Sequence, residues 1–413
     1  MSAAQCERMV RAALDSTEIV DVHTHLHDPA MGDLLLSGID ELLTYHYHVA
    51  EVFRARPDLE PERFFAMPIG ARADLVWREL FVERSPLSEV GRGLVTLLRE
   101  FGLDPAAPDL RAARACFAER LRDPRAHVDD VLRRARVREV CMTNDPLDAI
   151  ERASWQRGFD RDPRFVAALR LDSAIMDWPR AVGPLRALGY DISDELGPRT
   201  ESELRRYLLD WHRRFAARYM AVSLPPVLHH PDDGSCTWLR ILTRVVAPVA
   251  AELDSPLALM IGVRRQVNPR QRLAGDSVGT TDVDSIERLA ADFPRVRFLV
   301  TLLAREGQHA LCVAARKFAN IEPFGCWWFV NVPSVGREIT AMRLDLLGPT
   351  FVPQHSDARV LEHLFSKWER SRRWLGDVFA AHYTDLQAAG GVVDEASIRR
   401  DLRRMLGTGF ART

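Results

Sequence analysis

The chain has 413 residues, 47% hydrophobic and 28% charged, enough to bury one large core or two ordinary ones. Its formal net charge of -2 argues against a nucleic-acid or membrane-surface protein. Lys317 and Lys367 are the only lysines, so arginine, the better partner for carboxylates, carries nearly all the positive charge.

Taken in chain order, MSAAQCERMVRAALDS mixes acids and bases through an amphipathic pattern and has no signal-peptide core. The apolar run IVDVHTHL at 19–26 follows. If it is a strand, His23 and His25 project to the same side, because residues i and i+2 share a face. Two imidazoles on one face of a rigid element are half of a metal site. From about 30 to 130 the pattern is helical, with apolar positions every three or four residues in ADLVWRELFVER, GRGLVTLLREFG and DLRAARACFAERLRD.

Beyond position 137 short apolar runs alternate with helical segments. The runs are VREVCMT, FVAALRL, YMAVSLPP, PLALMIGV, RFLVTLL, NIEPFGCW and PTFVPQH. With the first, they make eight candidate strands, which at this length predict an α/β chain folded as a single (β/α)8 TIM-type barrel over 1–413. The block at 30–130 is then a helical insertion after strand 1. The tail EASIRRDLRRMLGTGFA reads as an amphipathic helix docked on the barrel. Six scattered cysteines without a CxxC, and no apolar run of about 20 residues, predict a reduced, soluble, cytoplasmic protein.

Chemistry in such a barrel gathers at the carboxyl ends of the strands. The groups expected there are His23 and His25, Met142 to Asp145, Arg170 and Asp172, His229 and His230 in the loop after strand 4, Met260, Thr301, Trp327 and Trp328, and His355 to Arg359.

These residues also carry a resemblance. DVHTHL ending the first strand, with Asp357 ending the eighth, resembles the amidohydrolase superfamily, and within it the chain is similar to the uronate (glucuronate) isomerases. DVHTHL resembles their DxHCHL, and His46 with Tyr47 resembles the His-Tyr of GDHYKWR. SPL at 85–87 through FG at 101–102 resembles NPL…FGI, and CMTNDPLD at 141–148 resembles TTDDPxD. RLD at 170–172 resembles RPD, FGCWWF at 324–329 resembles FGxxWWF, and DAR at 357–359 resembles DSR. There are departures: the family ends strand 5 with His-Ile-Gly where this chain has Met260, and His48, Val49 and Ala50 replace the basic and tryptophan residues after His-Tyr.

The resemblance implies one divalent ion held by His23, His25 and Asp357, a nitrogen and oxygen set that suits zinc first, with manganese or iron(II) as alternatives. It implies an aldouronate–ketouronate interconversion of the glucuronate or galacturonate type. Asp357, His46 and Tyr47 would handle protons, and Arg170 and Arg359 would clamp the substrate carboxylate, with Asp145 and Trp328 helping to bind it. The partners implied are a carboxylated sugar, no nucleic acid and no membrane, with homo-oligomerisation open. Met260, Thr301 and Ser223 stand where a two-metal hydrolase needs ligands, which weakens that reading. Two other readings stay open: a one-metal hydrolase, deaminase or decarboxylase of another carboxylated molecule, and a barrel that only binds its ligand.

Overall fold

Most of the apolar runs pair edge to edge. In a computed structural model that describes residues 2–232 and 234–410, seven strands form one parallel sheet in sequence order. They are β1 (Ile19–Thr24), β2 (Val137–Asn144), β3 (Phe165–Arg170), β4 (Met220–Leu224), β5 (Leu257–Ile261), β6 (Phe298–Leu302) and β7 (Ile321–Pro323). The eighth run departs from the expectation of a continuous strand. Residues 349–359 contribute one parallel bridge just past β7, Phe324 to Val352. They then meet β1, where Asp357 N donates to His23 O (3.1 Å) and His25 N to Ala358 O (2.7 Å). The ring is thus closed without a regular ladder. Pro353 has no N–H to offer one, and Asp357 leaves the extended region at φ 53°.

Side-chain parity separates the two faces of the sheet. Ala168, Ala221, Ala258 and Met260 fill the barrel interior with Val20, Val22, Tyr219 and Phe324. Their neighbours Leu169, Val222, Leu257 and Leu259 pack outward against the helices. Ala168, Ala221 and Ala258 leave room for the Tyr219 ring, which is fully buried. Its hydroxyl therefore reaches the top of β1.

The pairing of β1 with β2 contains the feature that builds the site. Asp21 pairs with Val140 and Thr24 with Met142, so three steps of β1 span two of β2. This bulge lets Val22 and His23 both reach the interior, whereas Asp21 faces outward to the Trp368 indole (2.7 Å).

Helices cover the outside. The first, α1 (Ala3–Ser16), packs on the longest one near the end of the chain. Between β1 and β2 the chain is helical, including α2 (His46–Ala55), α3 (Glu89–Glu100) and α4 (Pro124–Ala135). Leu42, Phe64, Trp77, Leu97 and Phe117 give this region an apolar core of its own. The long α5 (His363–Ala388) runs from the eighth-strand segment and buries Lys367 and Trp368 on its inner face. The terminal helix (Glu395–Leu402) starts on an Asp394–Ser397 capping box and packs on α1, and Phe410 meets Tyr219 edge-on inside the barrel (5.1 Å). Among the described residues, no helix is long and apolar enough to cross a membrane, and Cys6, Cys116, Cys141, Cys312 and Cys326 form no disulfide.

Candidate active site

His23, His25 and Asp357 converge at the carboxyl end of the barrel. Their ligating atoms all lie within 4.8 Å of one another, the one such cluster among the described residues. Asp357 Oδ1 is 3.3 Å from His25 Nε2 and 3.7 Å from His23 Nε2. The far side of each ring is fixed. Tyr219 donates its single hydroxyl proton to Val22 O (2.8 Å), so it can only accept from His23 Nδ1 (3.1 Å). Thr143 donates to Thr24 O (3.0 Å) and likewise accepts from His25 Nδ1 (3.1 Å). Both histidines are thereby held as the Nδ1–H tautomer, with Nε2 lone pairs turned toward Asp357.

The electrostatics agree. Burial pushes His23 down to about 3, and burial with Arg359 pushes His25 down to about 4, so both rings are neutral at physiological pH. Burial alone would raise Asp357, but His25, Lys367 and His23 outweigh it and hold the carboxyl well below the usual range. His23 Nε2 and Asp357 Oδ1 are buried polar atoms without a hydrogen-bond partner, which native interiors rarely tolerate unless something else binds them. Two neutral imidazoles and one carboxylate, with open positions beyond, fit a divalent metal of the catalytic kind. Tyr219 and Thr143 play the part that hydrogen-bonding groups behind metal-binding histidines usually play.

The cavity over this cluster is lined by His46, Thr143, Arg170, Asp172, Met260, Arg265, Trp327, Trp328 and Arg359. Arg170 and Asp172 form a fork, Nε to Oδ2 at 3.2 Å and Nη2 to Oδ1 at 3.3 Å, and Asp172 also accepts from Ser223 N (3.3 Å). Asp172 raises the pKa of Arg170 further, and Arg170 keeps Asp172 ionised against the cost of burial. Arg359 has no ion pair or hydrogen bond with the described residues, so its guanidinium is available to a ligand. His46 stands edge-on to Trp328 (5.4 Å), and burial holds its pKa well below the ordinary value.

Not every anticipated residue reaches this cavity. Tyr47 lines a neighbouring space with Tyr45, His48, His363 and Lys367. Asp145 accepts from Leu147 N (2.8 Å) and from the Ser173 hydroxyl, and so stabilises the turn after β2. His230 bonds Asp292 (2.6 Å), His229 is exposed, and neither lines the cavity. Thr301 is buried below it. Three residues unsuspected from sequence matter here. Tyr219 fixes His23, and Lys367 lies beneath Asp357. Arg265, held by Asp276 (2.7 Å), enters from a short hairpin after β5. The available signals were faint: a tyrosine opening an apolar run, one of two lysines, and an RR pair after a strand.

No family model and no curated protein sequence matches the chain. Solved structures do. A uronate isomerase from Bacillus halodurans superimposes with a TM-score of 0.95 at 45% identity, over 99% of this chain and 96% of that one. A uronate isomerase from Thermotoga maritima (TM-score 0.75, 16% identity, 97% and 95% coverage) shares the fold. So does a glucuronate isomerase from Caulobacter crescentus (0.71, 15%, 98% and 92%). Identity of 45% sustained along the whole chain goes beyond shared architecture, and by it this chain belongs to the uronate isomerase family.

Proposed function

We propose that the chain interconverts an aldouronate and the corresponding ketouronate, with His23, His25 and Asp357 holding one divalent metal. The observation that carries the reading is the full-length 45% identity to a uronate isomerase. The donor set favours zinc, with manganese or iron(II) as alternatives. Bound there, the metal supplies a Lewis acid for a sugar oxygen.

The reaction moves a proton between C1 and C2 through an enediol. That requires a base beside C2, a proton donor for the carbonyl oxygen, and a grip on the far carboxylate. Besides the ligand histidines, two groups lining the cavity can accept a proton without first breaking an ion pair: Asp357, ionised, and His46, kept neutral by burial. Arg359 supplies the grip, since its fork matches a carboxylate. Arg170, engaged with Asp172, shapes the wall beside it. Trp327 and Trp328 add apolar wall that helps exclude water. Tyr47 packs on the His46 ring, and Asp145 holds the turn after β2. Cys6, Cys116, Cys141, Cys312 and Cys326, which form no disulfide, favour the reducing cytoplasm as its setting.

Enzyme loaded with one equivalent of zinc, incubated separately with glucuronate and galacturonate and followed by proton NMR, should form the ketouronate from at least one. Failure with both at full metal content overturns the reading.

A further inference from the structure

Asp357 is a left-handed residue at φ 53°, a conformation unfavourable for any side chain with a Cβ. Such a residue persists only where its surroundings hold it. Two neighbours on α5 do so from opposite sides of the turn. Lys367 Nζ donates to Ser356 O (2.8 Å) and Asp357 O (3.2 Å). Trp368 Nε1 donates to Asp21 Oδ2 (2.7 Å), whose other oxygen accepts from Ser356 N (3.0 Å). One turn of helix thus grips both the carbonyls and the amide of the turn that carries Asp357.

The lysine is the unexpected partner. It is one of two in the chain, it is 5% exposed, and no carboxylate among the described residues lies within ion-pair distance of it. A buried ammonium without an ion pair is costly, and the isomerisation makes no direct use of it. The rings of Tyr45 (5.7 Å) and Tyr47 (5.8 Å) also lie near it and offer their faces to the cation. Those tyrosines flank His46, the cavity residue at the start of α2.

We propose that Lys367 is a positioning residue: its buried ammonium holds the carbonyls of Ser356 and Asp357 in the turn that aims the Asp357 carboxylate at His23 and His25, and through Tyr45 and Tyr47 it sets His46 beside that carboxylate. The inference rests on the reading of His23, His25 and Asp357 as the metal ligands. It also gives Asp21 a role: the aspartate of the DVHTH motif acts on the turn from outside the barrel rather than on the ion.

The test uses Lys367→Met, which keeps the length of the side chain and removes the ammonium. Zinc affinity is measured by chelator competition, the cobalt(II)-loaded protein is followed by its visible absorption, and kcat and KM are measured on the active uronate. Zinc should bind roughly 10- to 100-fold more weakly, the loss usual for a group that orients a ligand. The cobalt bands should shift, and kcat should fall at least tenfold with KM little changed. A lysine that merely stabilised the fold would lower Tm and leave the cobalt spectrum alone. A folded Lys367→Met protein with wild-type zinc affinity and cobalt spectrum overturns the inference. Where methionine prevents folding, Lys367→Gln, which keeps a donor, is read by the same measurements. Asp357→Asn serves as the control: wild-type zinc affinity there would remove the ligand reading itself, independently of Lys367.

Discussion

Replacing Arg359 by lysine keeps the positive charge and removes the fork, and the structure sets how much that should cost. Arg170 is bonded twice by Asp172, whereas Arg359 has no partner among the described residues. The two parallel bonds expected to a carboxylate therefore fall to Arg359. Hydrogen bonds to charged groups contribute about 1.5–3 kcal/mol each. Lysine can make one of the two, so Arg359→Lys should lose about 1.5–3 kcal/mol, roughly 10- to 150-fold in kcat/KM. Arg359→Met loses both, on the order of 10²- to 10⁴-fold. Initial rates on each uronate, at verified zinc content, give the numbers. A rise in KM alone would mean that the grip acts equally on substrate and transition state, and a fall in kcat that it aligns the reacting carbons. Arg170→Lys should cost less, because its fork is engaged with Asp172. Wild-type kcat/KM in Arg359→Lys refutes the bidentate clamp, and a larger loss in Arg170→Lys exchanges the two roles.

The double variant His23→Ala/His25→Ala should fold and hold no zinc, since the close-packed barrel interior does not depend on the ion; full occupancy by elemental analysis would sink the site. Asp357→Asn should slow deuterium incorporation at the carbon beside the product carbonyl by at least about 10²-fold, and unchanged exchange by NMR would place the base elsewhere. In Gly325→Ala the new Cβ would run into the buried His355 ring at a backbone φ of +64°. Left-handed strain of about 1–2 kcal/mol and overpacking of about 1–3 kcal/mol should then lower Tm by several degrees, and an unchanged melt would refute that packing. On α4, burial raises the Asp130 carboxyl, but Arg133, Arg134 and Arg120 outweigh it and hold it at about 2, below its ordinary 3.8. Its ion pairs, discounted for solvent screening, thus stabilise the fold by about 1 kcal/mol above pH 4 and lose that effect as pH falls through about 2. Asp130→Asn should therefore be less stable than wild type at pH 7, with the gap closing in acid and activity unchanged; a gap independent of pH would contradict the assignment.

Why so much of the barrel can be read from sequence is clear from its strands. Segments such as FVAALRL and PLALMIGV are buried on both faces, so they stand out as continuous apolar runs between helical segments. The histidine pair is legible because its spacing is local. What escapes is set by contacts distant in sequence or by a single backbone angle. Tyr219 lies 196 residues from the ring it orients. The bulge at 21–24 leaves no mark on composition, yet it brings His23 inward. The eighth segment has the apolar residues of a strand and fails to become a regular one at Pro353 and Asp357. His46 and Tyr47 show the limit of motif reading: adjacent helical positions point about 100° apart, so only one of them faces the cavity.

The charges around the cavity explain why an acid sugar suits this mouth. Arg170 is matched by Asp172 and Arg265 by Asp276. The histidines are neutral. What remains unmatched is Asp357 against Arg359 and the ammonium of Lys367 beneath. A divalent ion on the three ligands would add two positive charges to that balance, leaving the site cationic while the chain as a whole is slightly anionic. Walls of tryptophan and methionine keep water from screening this excess. A substrate carboxylate is the charge that such a site lacks. It would pair with Arg359, the one guanidinium lining the cavity without a partner among the described residues, beside the His23, His25 and Asp357 cluster and His46. The fixed tautomers, the left-handed aspartate and the unpartnered Arg359 would thus serve a single chemical end, in which a small anion is held while a proton is moved.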